Sequence, residues 1–407
     1  MMYQRHVLSN GIRIIHRHTD SQVAHCGLFI NTGSRDEEAE EQGLAHFIEH
    51  VIFKGTRRRK AFQVLSHMEN VGGEINAFTS KEDTCIYASF LHLHYDRWLD
   101  VASDIIFQSI FPDKEINKEK DIIIDEINSY LDSPSEQIFD DFDELIFNSH
   151  PLGRNILGTP ATIKAFNRNS INRFMDRNHT TDEMLICSVG RIDFRELTHK
   201  VEKYFGEASH SESRHTRQAF TGYIPVKQSI SRKNHQAHCM LGNEADGLNS
   251  SRKTALSLLN NILGGPGLNS RLNMSVREKH GFCYNIESNY QPYTDTGVLS
   301  IYFGTDSAYL DKTMSIINKE LSRLKNNKLG SLQLKRAKMQ LTGQVAISFE
   351  SNLYEMLFNG KNYLNLHKTD TLEDINRRID AVTTEQVIEL ANEVFADDMM
   401  SVLIYKP

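Results

Sequence analysis

Apolar residues in this chain recur with two different periods, and the switches between them outline the elements. Residues 3–8 and 12–18 flank Asn10 and Gly11, a strong hairpin signal, and Val23 to Ile30 reads as a further strand. Gly33 to Glu38 is a polar turn leading into an apolar segment of helical spacing, Gly43 to Lys54. A second amphipathic helix, about Ala61 to Asn70, is stopped by Gly72 and Gly73. Glu74 to Ser80 and Thr84 to Phe90 return to strand-like alternation. Residues 95–109 read as a helix burying Trp98, Val101, Ile105 and Ile106, with Tyr95 and Arg97 structural. Pro112 introduces a long helix, Lys114 to about Leu131, closed near Asp132, Ser133 and Pro134. A helix over 161–176, a strand from Met184 to Gly190 and a helix from Phe194 to Tyr204 follow.

The polar stretch 206–222 is poor in apolar residues and marks a linker. Beyond it the order partly repeats. Strand-like Ala237 to Leu241 precedes an apolar helix, Thr254 to Leu263, and a glycine turn, Gly264 to Gly267. A helix with Arg277 follows, ended by Gly281, then strands 282–290 and 297–303. Helices 307–325, 331–347, 351–363 and 384–395 and a strand 399–405 close the chain. The expected class is α+β: two homologous sandwich-like domains, each an antiparallel-rich sheet packed with helices. Their expected limits are 1–208 and 227–407, with the linker at 209–226.

At 407 residues and 39% hydrophobic content, the chain has the mass for two cores of ordinary size. A net charge of −7 argues against nucleic acid as a partner. The short basic run Arg57, Arg58, Arg59 and Lys60 reads as a solvated turn and helix start, with contact to an anion or acidic substrate as the alternative. Five widely spaced cysteines without a C-x-x-C form no disulfide framework and suggest a reducing compartment. The N-terminus has no signal-like apolar stretch, and no run approaches a membrane span. The expectation is a soluble, cytoplasmic protein. His16, His18 and His25 read as surface or strand-edge residues.

Candidate chemistry concentrates in Gly43 to Lys54, which holds His46, Glu49 and His50 in the order H-x-x-E-H. On a helix the two imidazoles project from one face a turn apart, with the carboxyl of Glu49 beside them. Two neutral imidazoles so placed can bind zinc, and an unligated carboxylate next to them can take a proton from a water that zinc activates. This is the inverted form of the H-E-x-x-H metalloprotease helix. A third ligand must come from elsewhere. Glu119 and Glu126, two turns apart on one face of the long helix, are both candidates, while Asp125 points away from them.

Taken together, these motifs resemble the pitrilysin/insulysin family of zinc peptidases, in particular its short two-domain branch, which includes the mitochondrial processing peptidase and bacterial relatives. The similarity spans the chain. Gly43 to His50 with Phe53, Lys54, Gly55 and Thr56 is similar to the family's zinc helix and following turn. Gly72 and Gly73, then Asn76, Ala77, Phe78 and Thr79, resemble the segment that forms a peptide-holding edge strand. His150 to Arg154 with Gly158 and Thr159 also matches. In the family the third ligand lies seventy-six positions after the second histidine, which here is Glu126, and Glu119 then matches a carboxylate behind the ligands. Ser270 to Leu272, Val276 to Lys279 and Gly281 to Tyr284 resemble the segment whose arginine and tyrosine reach the substrate backbone, here Arg277 and Tyr284. Val51, Ile52, His280 and Cys283 depart from the commoner residues without touching a ligand.

The resemblance implies a zinc metalloendopeptidase with one zinc ion per chain held by His46, His50 and Glu126, and with Glu49 as base. It also implies peptide substrates and a homodimer whose closed chamber limits what enters, with a heterodimer beside a homologous subunit as the alternative. The competing readings are a catalytically dead scaffold subunit, a peptide-binding module whose zinc is a staple, and a hydrolase of non-peptide substrates. Keeping all four zinc-site residues argues against the first, and the edge-strand segment against the last.

Overall fold

Alternate residues along the inner strands face opposite sides of two sheets. The computed structural model describes residues 3–213 and 216–407; Arg214 and His215, inside the expected linker, lie outside the described residues. The first sheet holds β1 (Gln4–Val7), β2 (Arg13–His18), β3 (Val23–Ile30), β4 (Glu74–Thr79), β5 (Thr84–Leu91) and β6 (Met184–Gly190), in the order β1-β2-β6-β3-β5-β4. The second holds β7 (Lys227–Ser231), β8 (Ala237–Ala245), β9 (Cys283–Pro292), β10 (Gly297–Thr305) and β11 (Ser401–Lys406), in the order β7-β11-β8-β10-β9. Strands β2 and β6 are parallel, as are β7 and β11; the other neighbours are antiparallel. β2 to β6 and β7 to β11 therefore agree strand for strand in order and sense. The chain is a mixed α/β protein with one topology used twice, and β1 is the addition in the first copy.

The alternation on β3 shows how the first sheet is covered. Ala24, Cys26, Leu28 and Ile30 pack against Trp98, Leu99, Ala102 and Ile105 of the helix Tyr95–Gln108. Phe29 points the other way, with Ile15, Leu185 and Cys187, toward Met356 and Leu364 of the helix Asn352–Leu366. A Cβ on Gly360 would come 2.3 Å from the Phe29 ring, so only glycine lets that helix approach so closely. Arg17–Glu355 at 2.5 Å and Lys361–Asp83 at 3.0 Å fix it on the sheet. The second sheet has its own reciprocal cover. Ile138, Phe142, Ile146 and Phe147 of the helix Pro134–Phe147 pack on Met240, Val298, Tyr302 and Leu403.

The compact units consequently differ from a division at 208 and 227. One comprises Met1–Asn128, Arg154–Arg217 and Ile347–Thr371; the other comprises Ser129–Gly153, Gln218–Ala346 and Leu372–Pro407. Hydrophobic periodicity reveals that a helix has an apolar face but not which sheet that face will cover. The helix Pro134–Phe147, with proline at its first turn, was not among the expected elements. The expected helix 161–176 is two, Pro160–Ala165 and Arg168–Asn178, because Asn167 turns out of the helix and caps the second with its side chain.

His16 is a correction. It is fully buried rather than on a surface, and its Nε2 donates to the Ile192 carbonyl at 3.1 Å. All five cysteines are free and buried. No helix among the described residues is long and apolar enough to cross a membrane.

Candidate active site

The helix Leu44–Val51 is short for its task and is held by what surrounds it. Gly43 starts it at φ +93, a backbone state that costs a side-chained residue about 1–2 kcal/mol. A Cβ there would also sit 2.6 Å from the Leu157 carbonyl oxygen. Gly158 faces it at φ +75, with the Gln42 oxygen 2.3 Å from where its Cβ would be. The two glycines let the loop and the helix start interlock, which explains the Gly158-Thr159 motif. The buried carboxyl of Glu37 accepts from Gly43 N at 2.9 Å and Ala45 N at 2.8 Å, covering orphan amides of the first turn. Burial pushes Glu37 up to about 8, against the pull of those two amides and of Arg154.

Leu44, Phe47, Ile48 and Val51 bury against Ile116, Ile123 and Ile127 of the helix Asp113–Leu131. Glu119 and Glu126 fall in the same stripe as those isoleucines, so packing aims both carboxyls at the histidines. Here the two candidates part. Glu126 Oε2 lies 4.0 Å from His46 Nε2 and 3.8 Å from His50 Nε2. Among the described residues, His46, His50 and Glu126 group their ligating atoms within 4.8 Å. Glu119 stands behind instead, its Oε2 accepting from His50 Nδ1 at 3.2 Å. Its Oε1 is 2.9 Å from Lys54 Nζ, an ion pair in which Glu119 is almost fully buried.

These contacts suit a metal ion. Glu119 holds the proton of His50 on Nδ1, leaving the lone pair of Nε2 free toward Glu126. Burial, helped by His50, pushes His46 down to about 4, so its imidazole is neutral near pH 7 as a ligand must be. Glu49 is not in the ligand group. Its Oε2 is buried without a hydrogen-bond partner. Burial pushes its carboxyl above the usual range, with Thr79 and His50 pulling the other way. A carboxyl so placed can accept a proton from a water held beside it.

Thr79 ends β4, an edge strand that among the described residues pairs with β5 alone, in the register Asn76↔Tyr87, Ala77↔Ile86, Phe78↔Cys85 and Thr79↔Thr84. Ala77 joins the core on the helix side and Phe78 the opposite face, while Asn76 is exposed. The outer backbone of the strand is thus open along the helix Leu44–Val51, which packs on it.

Arg277 and Tyr284 come together in the second unit. Arg277 lies in a widened helical turn, Asn273–Glu278, and Gly281 at φ +62 ends that helix two residues before β9. The guanidinium carbon then sits 5.4 Å over the Tyr284 ring, which is 86% exposed. Sequence reasoning missed Glu37 and the part played by Lys54. The signal for Lys54 was its place one turn past His50.

The insulinase (peptidase family M16) model matches residues 13–160, and the peptidase M16 inactive domain model matches residues 165–341. The uncharacterized zinc protease YmxG of Bacillus subtilis is 36% identical over 405 residues, 99% of this chain and 98% of that protein. An uncharacterized zinc protease of Mycobacterium leprae is 32% identical, covering 96% and 88%. A protease from Helicobacter pylori superposes with a TM-score of 0.92 at 19% identity, covering 100% of this chain and 99% of that one. A Pseudomonas fluorescens structure described as a peptidase M16 inactive domain superposes at 0.93 with 18% identity, covering 100% and 98%. At those identities the two structures speak for the fold alone.

Proposed function

Because the chain belongs to peptidase family M16, the insulinase family, we propose that it is a zinc-dependent endopeptidase cleaving peptides or unfolded polypeptides. The reading rests on the convergence of His46 Nε2, His50 Nε2 and Glu126 Oε2 beside the unpartnered Oε2 of Glu49. Those three side chains would hold one zinc ion, which when bound supplies a Lewis acid that acidifies water and polarises a carbonyl. Glu49 takes the proton of the attacking water on Oε2 and passes it to the leaving amine. Glu119, anchored by Lys54, keeps His50 in its ligand tautomer.

β4 binds the substrate by adding it as a further strand, so that backbone hydrogen bonds from Asn76 to Thr79 demand extended chain and little side-chain identity. Arg277 and Tyr284 reach the substrate backbone, their face-on pairing limiting the freedom of the arginine. The protein forms a homodimer with a closed chamber, in which the Arg277/Tyr284 unit of one copy serves the zinc unit of the other. An active monomer in gel filtration or scattering would refute that part. Unpaired thiols suit a reducing compartment, and the cytoplasm is the expected location.

Metal content and peptide turnover of Glu49→Gln test the chemistry. Full zinc content with hydrolysis lowered by about 10²–10⁴-fold supports the reading. Unchanged cleavage rejects Glu49 as base, and a wild-type chain that holds zinc but cleaves no peptide reduces the metal to a staple.

A further inference from the structure

Arg57 to Lys60 play no part in the zinc site, and the structure gives two of them other company. A cleft of about 380 Å³ in the first unit is walled by Arg58, Arg59 and Arg97 around His67, with Gln63, Ser66 and Asn70 completing it. Every one of these side chains can donate a hydrogen bond, and no carboxylate lines the cleft. The acids stand behind the wall. Asp104 and Asp100 both pair with Arg59 and hold its guanidinium in place. Arg58 reaches Asp100 at 3.0 Å, but its side chain is 56% exposed. Arg97 donates one N–H to the His67 carbonyl at 2.6 Å and has no carboxylate partner among the described residues.

His67 senses the imbalance. Its Nε2 is buried without a hydrogen-bond partner, and the nearest acid, Asp100 Oδ2, is 3.8 Å away. Burial first, then the fields of Arg59 and Arg97, push this imidazole below its ordinary value. A buried ring nitrogen left open beside three guanidiniums is a cost that a bound anion would relieve.

We propose that this cleft binds a phosphoryl anion, gripped by the free N–H groups of Arg97 and Arg58 and by the amides of Gln63 and Asn70. Two planar guanidinium forks with further donors between them match the several oxygens of a phosphate better than the two of a carboxylate. The volume accommodates more than one phosphoryl group. The site is independent of the zinc reading.

Calorimetry on the full zinc-loaded chain, with inorganic phosphate, pyrophosphate and ATP at matched ionic strength, tests it. The expected result is one saturable site per chain at which the three compete. Affinity that rises from phosphate to pyrophosphate with no gain for ATP identifies a free phosphoryl anion, whereas tightest binding of ATP identifies a nucleotide. Arg97→Met and Arg58→Met should each weaken binding at least tenfold. Because Arg97 also anchors a backbone carbonyl, the exposed Arg58 provides the variant least coupled to folding. His46→Ala should bind unchanged. Heat that never saturates, binding untouched by both arginine substitutions, or binding lost in His46→Ala because the anion sat on the metal would each overturn the proposal.

Discussion

The two units share a five-strand topology yet present different chemistry at matching places. Between β3 and β4 the chain lays down the helix Leu44–Val51 with its two histidines; between β8 and β9 it lays down the helix Lys253–Gly264, whose buried positions are Ala255, Leu256, Leu258, Leu259, Asn261, Leu263 and Gly264. The next turn of chain is ordinary helix in the first unit and the widened Arg277 turn in the second. Both then run into an edge strand, β4 or β9. A fold repeated so closely cannot by itself specify an activity; a handful of side chains does. Under the proposed reading, metal, base and the peptide-holding strand β4 sit in one unit, and the Arg277 and Tyr284 contacts to substrate in the other.

Substitutions at those places should separate the copies. Glu126→Ala removes one of three ligands, so zinc should be lost on desalting and peptide hydrolysis should fall by more than about a thousandfold, a loss beyond the 10–100-fold typical of groups behind the ligands. Arg277→Ala should keep full zinc content and lower kcat/KM by about a hundredfold, the scale of one lost transition-state contact. Zinc content that fell in Arg277→Ala, or stayed whole in Glu126→Ala, would break the division of labour.

Glycines offer a second contrast. Gly158→Ala in the first unit meets both φ +75 and a carbonyl oxygen 2.3 Å from the new Cβ, for a cost of about 3 kcal/mol. Gly281→Ala in the second has φ +62 but open space around it, for about 1 kcal/mol. Thermal melts should show the first variant lower by roughly 6–12 °C and the second by a third of that. The contrast also marks what the sequence could reveal. Gly158 and Gly281 stood out as motif members, and strand alternation outlined nearly every strand. The two histidines on one helix face with Glu49 beside them were legible because spacing along one element is local, while the edge position of β4 was expected only from the family resemblance. Which sheet the helices Pro134–Phe147 and Asn352–Leu366 cover was not legible, since the partner of an apolar stripe is a tertiary fact. Neither was the choice between Glu119 and Glu126 from the residues alone. Both share a face, and only the fold sets one against the histidines' ligand nitrogens and the other behind.

Lys54 extends that chain of contacts by one residue, and no ligand touches it directly. Removing its charge in Lys54→Met leaves Glu119 buried with one partner fewer, and the orientation of His50 loosens. Zinc affinity measured against a competing chelator should fall by about tenfold, with Arg277→Ala as the unit-two control that leaves it unchanged. An unaltered affinity would make Lys54 a purely structural cover for Glu119.

The smallest expected difference between the copies is in acid tolerance. β2 lies inside its sheet because β1 covers it, and it buries His16 completely; its counterpart β7 is an edge strand with an exposed pattern. Burial pushes His16 down to about 4, against an ordinary 6.5. Unfolded chain therefore takes up a proton at this site near pH 6.5, while the folded protein declines it until about pH 4. The stabilisation by neutral His16 is complete above 6.5 and drains away as pH falls through that window, at about 1.4 kcal/mol per unit once well inside it. Between pH 7 and 5 the loss is roughly 2 kcal/mol. His16→Gln keeps an N–H for the Ile192 carbonyl but cannot titrate, so its urea midpoint should fall less over the same interval. His46 contributes a loss of the same sign in both proteins and cancels in the difference. Hydrogen exchange at pH 5 should place the recovered stability in β2 and β6 and leave β7 and β11 as they were. Equal pH slopes in the two proteins would mean that His16 is protonated in the folded state after all, and that β1 does not seal its strand from water.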